Sequence, residues 1–456
     1  MIALFAPAAR LPEAWASNVR FDIGDDGVIQ AVSAGASSAG AEMLRGPVIP
    51  GMPNLHSHAF QRAMAGMAEQ RSDSSDDFWS WREAMYRFLA FLAPEDVEAI
   101  ATQLYIEMVK AGYTRVCEFH YLHNDSSGAR YREPGAMAMA HLRAAKSAGI
   151  GVTLVPTLYT SGGCGGKPLK DGQKRFAITP DKLVDMMRSL DKEVAGETNA
   201  KIALGLHSLR AARIEEIENL LAALPGRTVH IHVSEQVGEV KECVAWCGRT
   251  PIAQLHHTVG LNDKWNLVHA THATPEEIAL IAQAKATVTL CPSTEGNLGD
   301  GFFPADSYFK QHGIFGIGTD SQICVDPREE LRLFEYGRRL KAEKRALSAD
   351  PRVPHVGAWL WLNAAAGGED PCATPVGKLQ KGYRADFIVL NADGPSLFQR
   401  SGDILLDSFV FAASGTDTIR EVYVGGKRVV SDSHHAGEEQ AQRQFRRTME
   451  RWKNAA

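Results

Sequence analysis

Between residues 47 and 320, short β-branched runs alternate with longer amphipathic stretches, and this alternation constrains the fold more than any other feature of the chain. A strand followed by a helix before the next strand is a βα unit, and repeats of that unit build a parallel sheet. Eight such runs occur, at residues 47–55, 114–120, 151–159, 201–207, 227–233, 265–270, 286–291 and 313–320. The stretches between them, among them 94–110, 133–148, 179–195 and 213–224, carry apolar residues at three-to-four spacing, and the first three have Pro or Thr near their start. Eight strands, each followed by a helix, close into a TIM-like (β/α)₈ barrel. A barrel of roughly 250–400 residues leaves room in the chain for one smaller module.

The two ends supply that module. Residues 1–46 hold alternating runs at 17–23 and 28–33 around a turn at 24–26. Residues 377–432 hold further strand-like runs at 382–391, 404–411 and 419–430, the last with a Gly425-Gly426 hairpin turn. Helical periodicity returns only at 438–453. The expected layout is a barrel over 47–376 and a small β-sandwich domain built from both termini, 1–46 and 377–456, the latter ending in a helix.

The net charge of −5 gives no electrostatic reason to expect a nucleic-acid or acidic-membrane partner, so an acidic ligand would have to be caught by local arginines. The seven cysteines are odd in number and scattered; Cys243 and Cys247 share a helix face but form no CxxC motif. They read as free thiols of a cytoplasmic protein. No run of about 18 apolar residues occurs. The apolar opening at 1–9 has no basic residues before it and is interrupted by Pro7, so neither a membrane span nor export is expected.

Barrels of this type place their chemistry at the C-terminal ends of the strands. The first run ends in His56-Ser57-His58, the fifth in His230-Ile231-His232 followed by Glu235, the sixth in His269 with His272 beyond, and the eighth in Asp320. Residues i and i+2 of a strand face the same side, so His56 and His58 aim two imidazoles at one point. His232 and Asp320 approach from elsewhere around the mouth. His230 shares the parity of His232, but His232 stands nearer the mouth and three residues before Glu235; His230 reads as a deeper, structural residue. Three neutral imidazoles and one carboxylate suit a single divalent ion, Zn²⁺ above others, with a position left for water. A second ion would want a carbamylated lysine at the end of strand four, and Lys201 lies at the wrong end of that run.

His-x-His on strand one, His on strands five and six and Asp on strand eight together resemble the amidohydrolase superfamily, and His232-x-x-Glu235 its deaminase branch. The segments Asn54–Arg62, Phe78–Arg82, Glu118–Tyr121, His207–Arg210 and Ser293–Gly301 are similar to the formimidoylglutamate deiminases of histidine degradation. That resemblance implies hydrolysis of N-formimino-L-glutamate to N-formyl-L-glutamate and ammonia. Asp320 would then act as ligand and base, His269 would orient the water and stabilise developing charge, and Glu235 would carry the proton to the departing nitrogen. Arg82 and Arg210 would take the substrate carboxylates, with Gln61, Tyr121 and His207 beside them.

Two other readings compete. A related zinc deaminase acting on a cyclic amidine, a pterin or nucleobase, would want aromatic stacking rather than two arginines. A catalytically silent barrel that binds a metabolite is opposed by Glu235, His269 and Asp320 standing beside the ligands. The glycine-dense loop 159–167 lacks the spacing of a phosphate-binding loop and reads as a flap over the site. The adjacent histidine pairs 256–257 and 434–435 read as surface, and Trp79 and Trp81 as packing in the insertion after strand one. The partner expected is a small-molecule substrate, and a homodimer is common for such barrels.

Overall fold

The structure, a computed structural model, describes residues 1–67, 69, 85–86, 88–413, 415 and 417–455. The insertion carrying Trp79, Trp81 and Arg82, and the helix expected to begin near residues 76–78, lie outside these. The central sheet is all parallel and closes on itself. Its strands are Met52–Ser57, Tyr113–His120, Gly151–Leu158, the broken fourth strand Ala200–Ile202 and Leu204–Leu206, Val229–Val233, Trp265–His269, Thr287–Leu290 and Ile314–Ile317. The last pairs with the first, so the barrel has eight staves and no free edge.

Helices Pro94–Ala111, Ala136–Ala148, Pro180–Glu193 and Ile214–Ala223 stand where the apolar spacing places them. Pro at the first turn suits the helical φ and gives up an N–H that has no partner there, which explains the starts at Pro94, Pro180, Pro251, Pro275 and Pro327. The N-terminal mouth of the barrel is plugged by the segment around Cys372. Thr153 Oγ1 donates to Cys372 O (2.8 Å), and the ring nitrogen Nε2 of His230 lies 3.0 Å from Pro371 O. His230 is therefore structural, as its deeper position suggests.

Both chain ends contribute to the second unit, a β-sandwich-like module formed by one continuous eight-stranded mixed sheet. Its core includes Leu4, Val19, Phe21, Ile23, Val48, Phe387 and Tyr423. The strand Ile2–Arg10 at its centre escapes sequence reading, because IALFAPAAR has no clean alternation.

Two expectations need correction. The run 47–55 is two strands: Val48–Pro50 pairs antiparallel with Phe387–Val389 in the small sheet, and Met52–Ser57 opens the barrel. Gly51 makes the crossing, where an added Cβ would fall 2.3 Å from Thr114 Cγ2. The run 404–411 is not a strand but part of the helix Asp403–Phe411. Its buried residues Leu405, Leu406, Phe409 and Val410 follow helical spacing, and it packs on helices Val356–Ala366 and Pro327–Ala342. Leu, Phe and Val fit either element, and packing decides.

All seven cysteines are free. Among the described residues no helix is long and apolar enough to cross a membrane.

Candidate metal centre and active site

The four expected ligands converge. His56 Nε2 lies 3.2 Å from His58 Nε2 and 2.9 Å from His232 Nε2, and His58 Nε2 lies 3.3 Å from His232 Nε2. Asp320 Oδ1 stands 3.5 Å from His56 Nε2 and 3.3 Å from His58 Nε2. His58 Nδ1 donates to Phe119 O (2.9 Å) and His232 Nδ1 to His207 O (2.8 Å), which fixes both rings as Nδ1–H tautomers. Their Nε2 lone pairs then point at each other and at His56 across about 3 Å, an arrangement that repels unless a cation sits among them. His56 Nδ1 is buried and has no such partner among the described residues.

Electrostatics agree with the geometry. Burial pushes the pKa of His56 down to about 3 and lowers those of His58 and His232, so all three are neutral, the form that ligates. Burial alone would raise Asp320, but its hydrogen bond with His56 and the neighbouring His269 hold its carboxyl well below the usual range. Three imidazoles and a carboxylate at the mouth of a barrel fit a divalent ion.

Beside this cluster stand Glu235 and His269. His269 Nε2 lies 3.6 Å from Asp320 Oδ2 and 3.8 Å from Glu235 Oε1, while its Nδ1 lies 3.2 Å from Glu295 Oε1. Burial would lower the His269 pKa, yet Glu235, Glu295 and Asp320 together push it up to about 10; a divalent cation in the cluster would oppose that. Its φ of +70° is unusual for a residue with a side chain and turns the ring into the site at the end of its strand. Burial raises Glu235, with His269 and Arg210 opposing.

Of the residues expected to meet substrate, Gln61, Tyr121, His207 and Arg210 line one cavity with His58, His232, Glu235, His269 and Asp320. Arg210 also lies within ion-pair reach of Glu235, at 3.6 Å, a contact its sequence position does not foretell. Arg82 lies outside the described residues. Sequence reasoning missed Tyr159, Phe176 and Ser321, which also line the cavity, and gave no role to Thr294 and Glu295 of the quoted segment Ser293–Gly301. The donors His269, Cys291 and Glu295 form a second compact group, but Glu295 Oε1 is already engaged by Cys291 N (2.9 Å) and His269 Nδ1.

The glycine-dense loop is not a lid in this structure. Ser161 N donates to Ala211 O (3.1 Å), Lys167 pairs with Glu242 (2.5 Å), and Gly165 lies against Trp246, so the loop rests on helix Val237–Cys247. Residues 162–167 do not line the cavity around the ligands. A separate cavity of about 420 Å³ behind Tyr159 gathers no comparable set of metal ligands among the described residues.

The sequence profile of the amidohydrolase family (Amidohydrolase family) matches residues 48–429, and that of the "Formimidoylglutamate deiminase HutF, N-terminal domain" matches residues 1–46. The chain is 48% identical over 451 residues to the formimidoylglutamate deiminase of Pseudomonas aeruginosa, covering 98% of each. It is 29% identical over 392 residues to a 5-methylthioadenosine/S-adenosylhomocysteine deaminase of Natronomonas pharaonis, covering 84% of this chain and 81% of that one. The crystal structure of an amidohydrolase from Brucella melitensis superposes with a TM-score of 0.93 at 39% identity, covering 99% of this chain and all of that one.

Proposed function

Since the chain belongs to the amidohydrolase family, we propose that it hydrolyses a carbon–nitrogen bond, converting N-formimino-L-glutamate and water to N-formyl-L-glutamate and ammonia. The observation that carries the substrate is the 48% identity across 98% of both chains with a formimidoylglutamate deiminase. The described wall supports the same reading: Arg210 lines the cavity and offers a guanidinium suited to a substrate carboxylate.

His56, His58, His232 and Asp320 would hold one ion, and the nitrogen-rich donor set favours zinc. Such an ion supplies Lewis acidity and an activated water near neutral pH. Glu235, buried and facing His269, would take one proton from the attacking water and return it to the formimino nitrogen, while Asp320, ligand and base, would take the remaining hydroxyl proton as that nitrogen departs as ammonia. His269, held from behind by Glu295, would orient the water and stabilise the charge that develops on its oxygen. The cationic amidine is drawn to Glu235 and Asp320, while Arg210, Gln61, Tyr121 and His207 offer hydrogen-bond partners to the glutamate portion.

The test follows ammonia release from N-formimino-L-glutamate by metal-replete protein, with Glu235→Gln in parallel. Wild type should turn over and the variant should lose about 10²–10⁴-fold in kcat. No release from wild type would remove the substrate assignment.

A further inference from the structure

Glu118 is a buried carboxylate that the reaction does not use. It lies on the second barrel strand, Tyr113–His120, between Cys117 and Phe119. Phe119 turns inward, its ring 5.0 Å from that of His56; alternation sends Glu118 outward, under helix Pro94–Ala111. A carboxylate in that layer is costly unless it is paired. Among the described residues no lysine or arginine pairs with it, and His141, at 3.8 Å, is kept neutral by burial, which lowers its pKa to about 3. Even so, Glu118 is 1% exposed, and burial raises its own pKa to about 7 against three donors.

Those donors give it a purpose. Glu118 Oε1 accepts from Ala59 N (2.7 Å), and Oε2 accepts from Ser57 Oγ (2.7 Å) and the Tyr105 hydroxyl (3.0 Å). Ser57 and Ala59 flank His58, whose Nδ1 donates to the carbonyl of the very next residue, Phe119. On its other side Ser57 Oγ accepts from Gln322 Nε2 (3.0 Å), and the same amide reaches Asp320 O (2.8 Å). One network therefore runs behind the candidate ligands, from Glu118 through Ser57 and Gln322 to Asp320.

We propose that Glu118 is a positioning residue of the metal centre, clamping the backbone on both sides of His58 and so fixing where His56 and His58 aim their Nε2 atoms. Ligating side chains must be held to within about 0.5 Å, and groups one shell behind a metal typically govern its affinity by about 10–100-fold. Ser57 is the link: it points away from the ion because its neighbours point toward it, and its hydroxyl gives the carboxylate a hold on the strand. The inference rests on the four-ligand site and not on the substrate.

The experiment compares wild type with Glu118→Gln, Ser57→Ala and Tyr105→Phe. It measures the rate at which a chelator strips zinc, the visible spectrum of cobalt(II)-loaded protein, and the urea midpoint of the metal-free chain. Glu118→Gln and Ser57→Ala should speed metal loss by about 10–100-fold and shift the cobalt bands. Tyr105→Phe, which removes a donor without freeing Ser57 or Ala59, should keep wild-type release. Unchanged release and spectra in both Glu118→Gln and Ser57→Ala, whatever their midpoints, would overturn the proposal and leave Glu118 as a cap on buried N–H and O–H groups. If Glu118→Gln fails to fold, Ser57→Ala decides alone, since it deletes a single hydroxyl. None of these readouts uses N-formimino-L-glutamate, so failure of the deimination reading is a separate result.

Discussion

Gly318 sits just past the eighth barrel strand, where it crosses His56. A Cβ added there would fall 2.8 Å from His56 Cβ, 2.9 Å from His56 O and 3.0 Å from His56 N. Carbon atoms in contact settle near 3.5–4.0 Å, so strands one and eight would have to part by roughly half an ångström or more. Two of the three obstructing atoms are backbone and cannot rotate away. The hydrogen bonds Asp320 N→His56 O (3.0 Å) and His58 N→Asp320 O (3.1 Å) tie these strands at the ligands, so the parting falls on the metal centre itself. Gly318→Ala should cost about 1–3 kcal/mol of stability, the usual range for overpacking. A displacement of that size also reaches the tolerance of a ligand set, so zinc retention should fall at least about tenfold. Gly316→Ala is the control, because its Cβ would meet Leu55 Cδ1 at 2.2 Å, the end of a side chain that can move. It should lose stability but keep the ion. Urea denaturation of metal-free protein and chelator competition read the two effects separately. Wild-type stability and metal retention in Gly318→Ala, or equal metal loss in both variants, would refute the reasoning.

Metal removal should lower the urea midpoint and its return should restore it, since an ion that binds only the folded chain adds about 4 kcal/mol at a thousandfold excess over its Kd; coincident curves with and without zinc would count against the site. Burial pushes the pKa of His123 down from 6.5 to about 4, with Arg130 adding to the effect and the bond to Thr157 O opposing it. The unfolded chain therefore binds a proton that the native one refuses between those values. Stability from this group is present above about 6.5 and is lost as pH falls through about 4, at up to about 1.4 kcal/mol per pH unit. His123→Gln should flatten the wild-type urea midpoint profile in that window, and parallel profiles would show that His123 is not responsible.

Much of the centre was legible because the relevant rules are local. Strand parity alone puts His56 and His58 on one side, and eight alternating runs place His232 and Asp320 at the same mouth. His230 could be set aside because two residues along a strand is one layer of the barrel. Signals failed where a residue's state depends on what it packs against. The segment 404–411 is rich in residues that suit strand and helix alike, and only the neighbouring helices choose between them. The family resemblance implies that Arg210 binds a carboxylate, while its reach to Glu235 depends on the geometry between strand-end loops four and five. The glycine-dense loop looks free to move, but Lys167 and Trp246 give it a seat on a helix some eighty residues away.

The sequence by itself determined the barrel and which four candidate ligands gather at its mouth, because periodicity and residue type are written locally. Only the tertiary structure decided how those ligands are held. Glu118 and Glu295 stand in segments that carry the family resemblance, but what each carboxylate touches is not legible there, since it depends on distant strands and helices bringing Ser57 or His269 within hydrogen-bond reach.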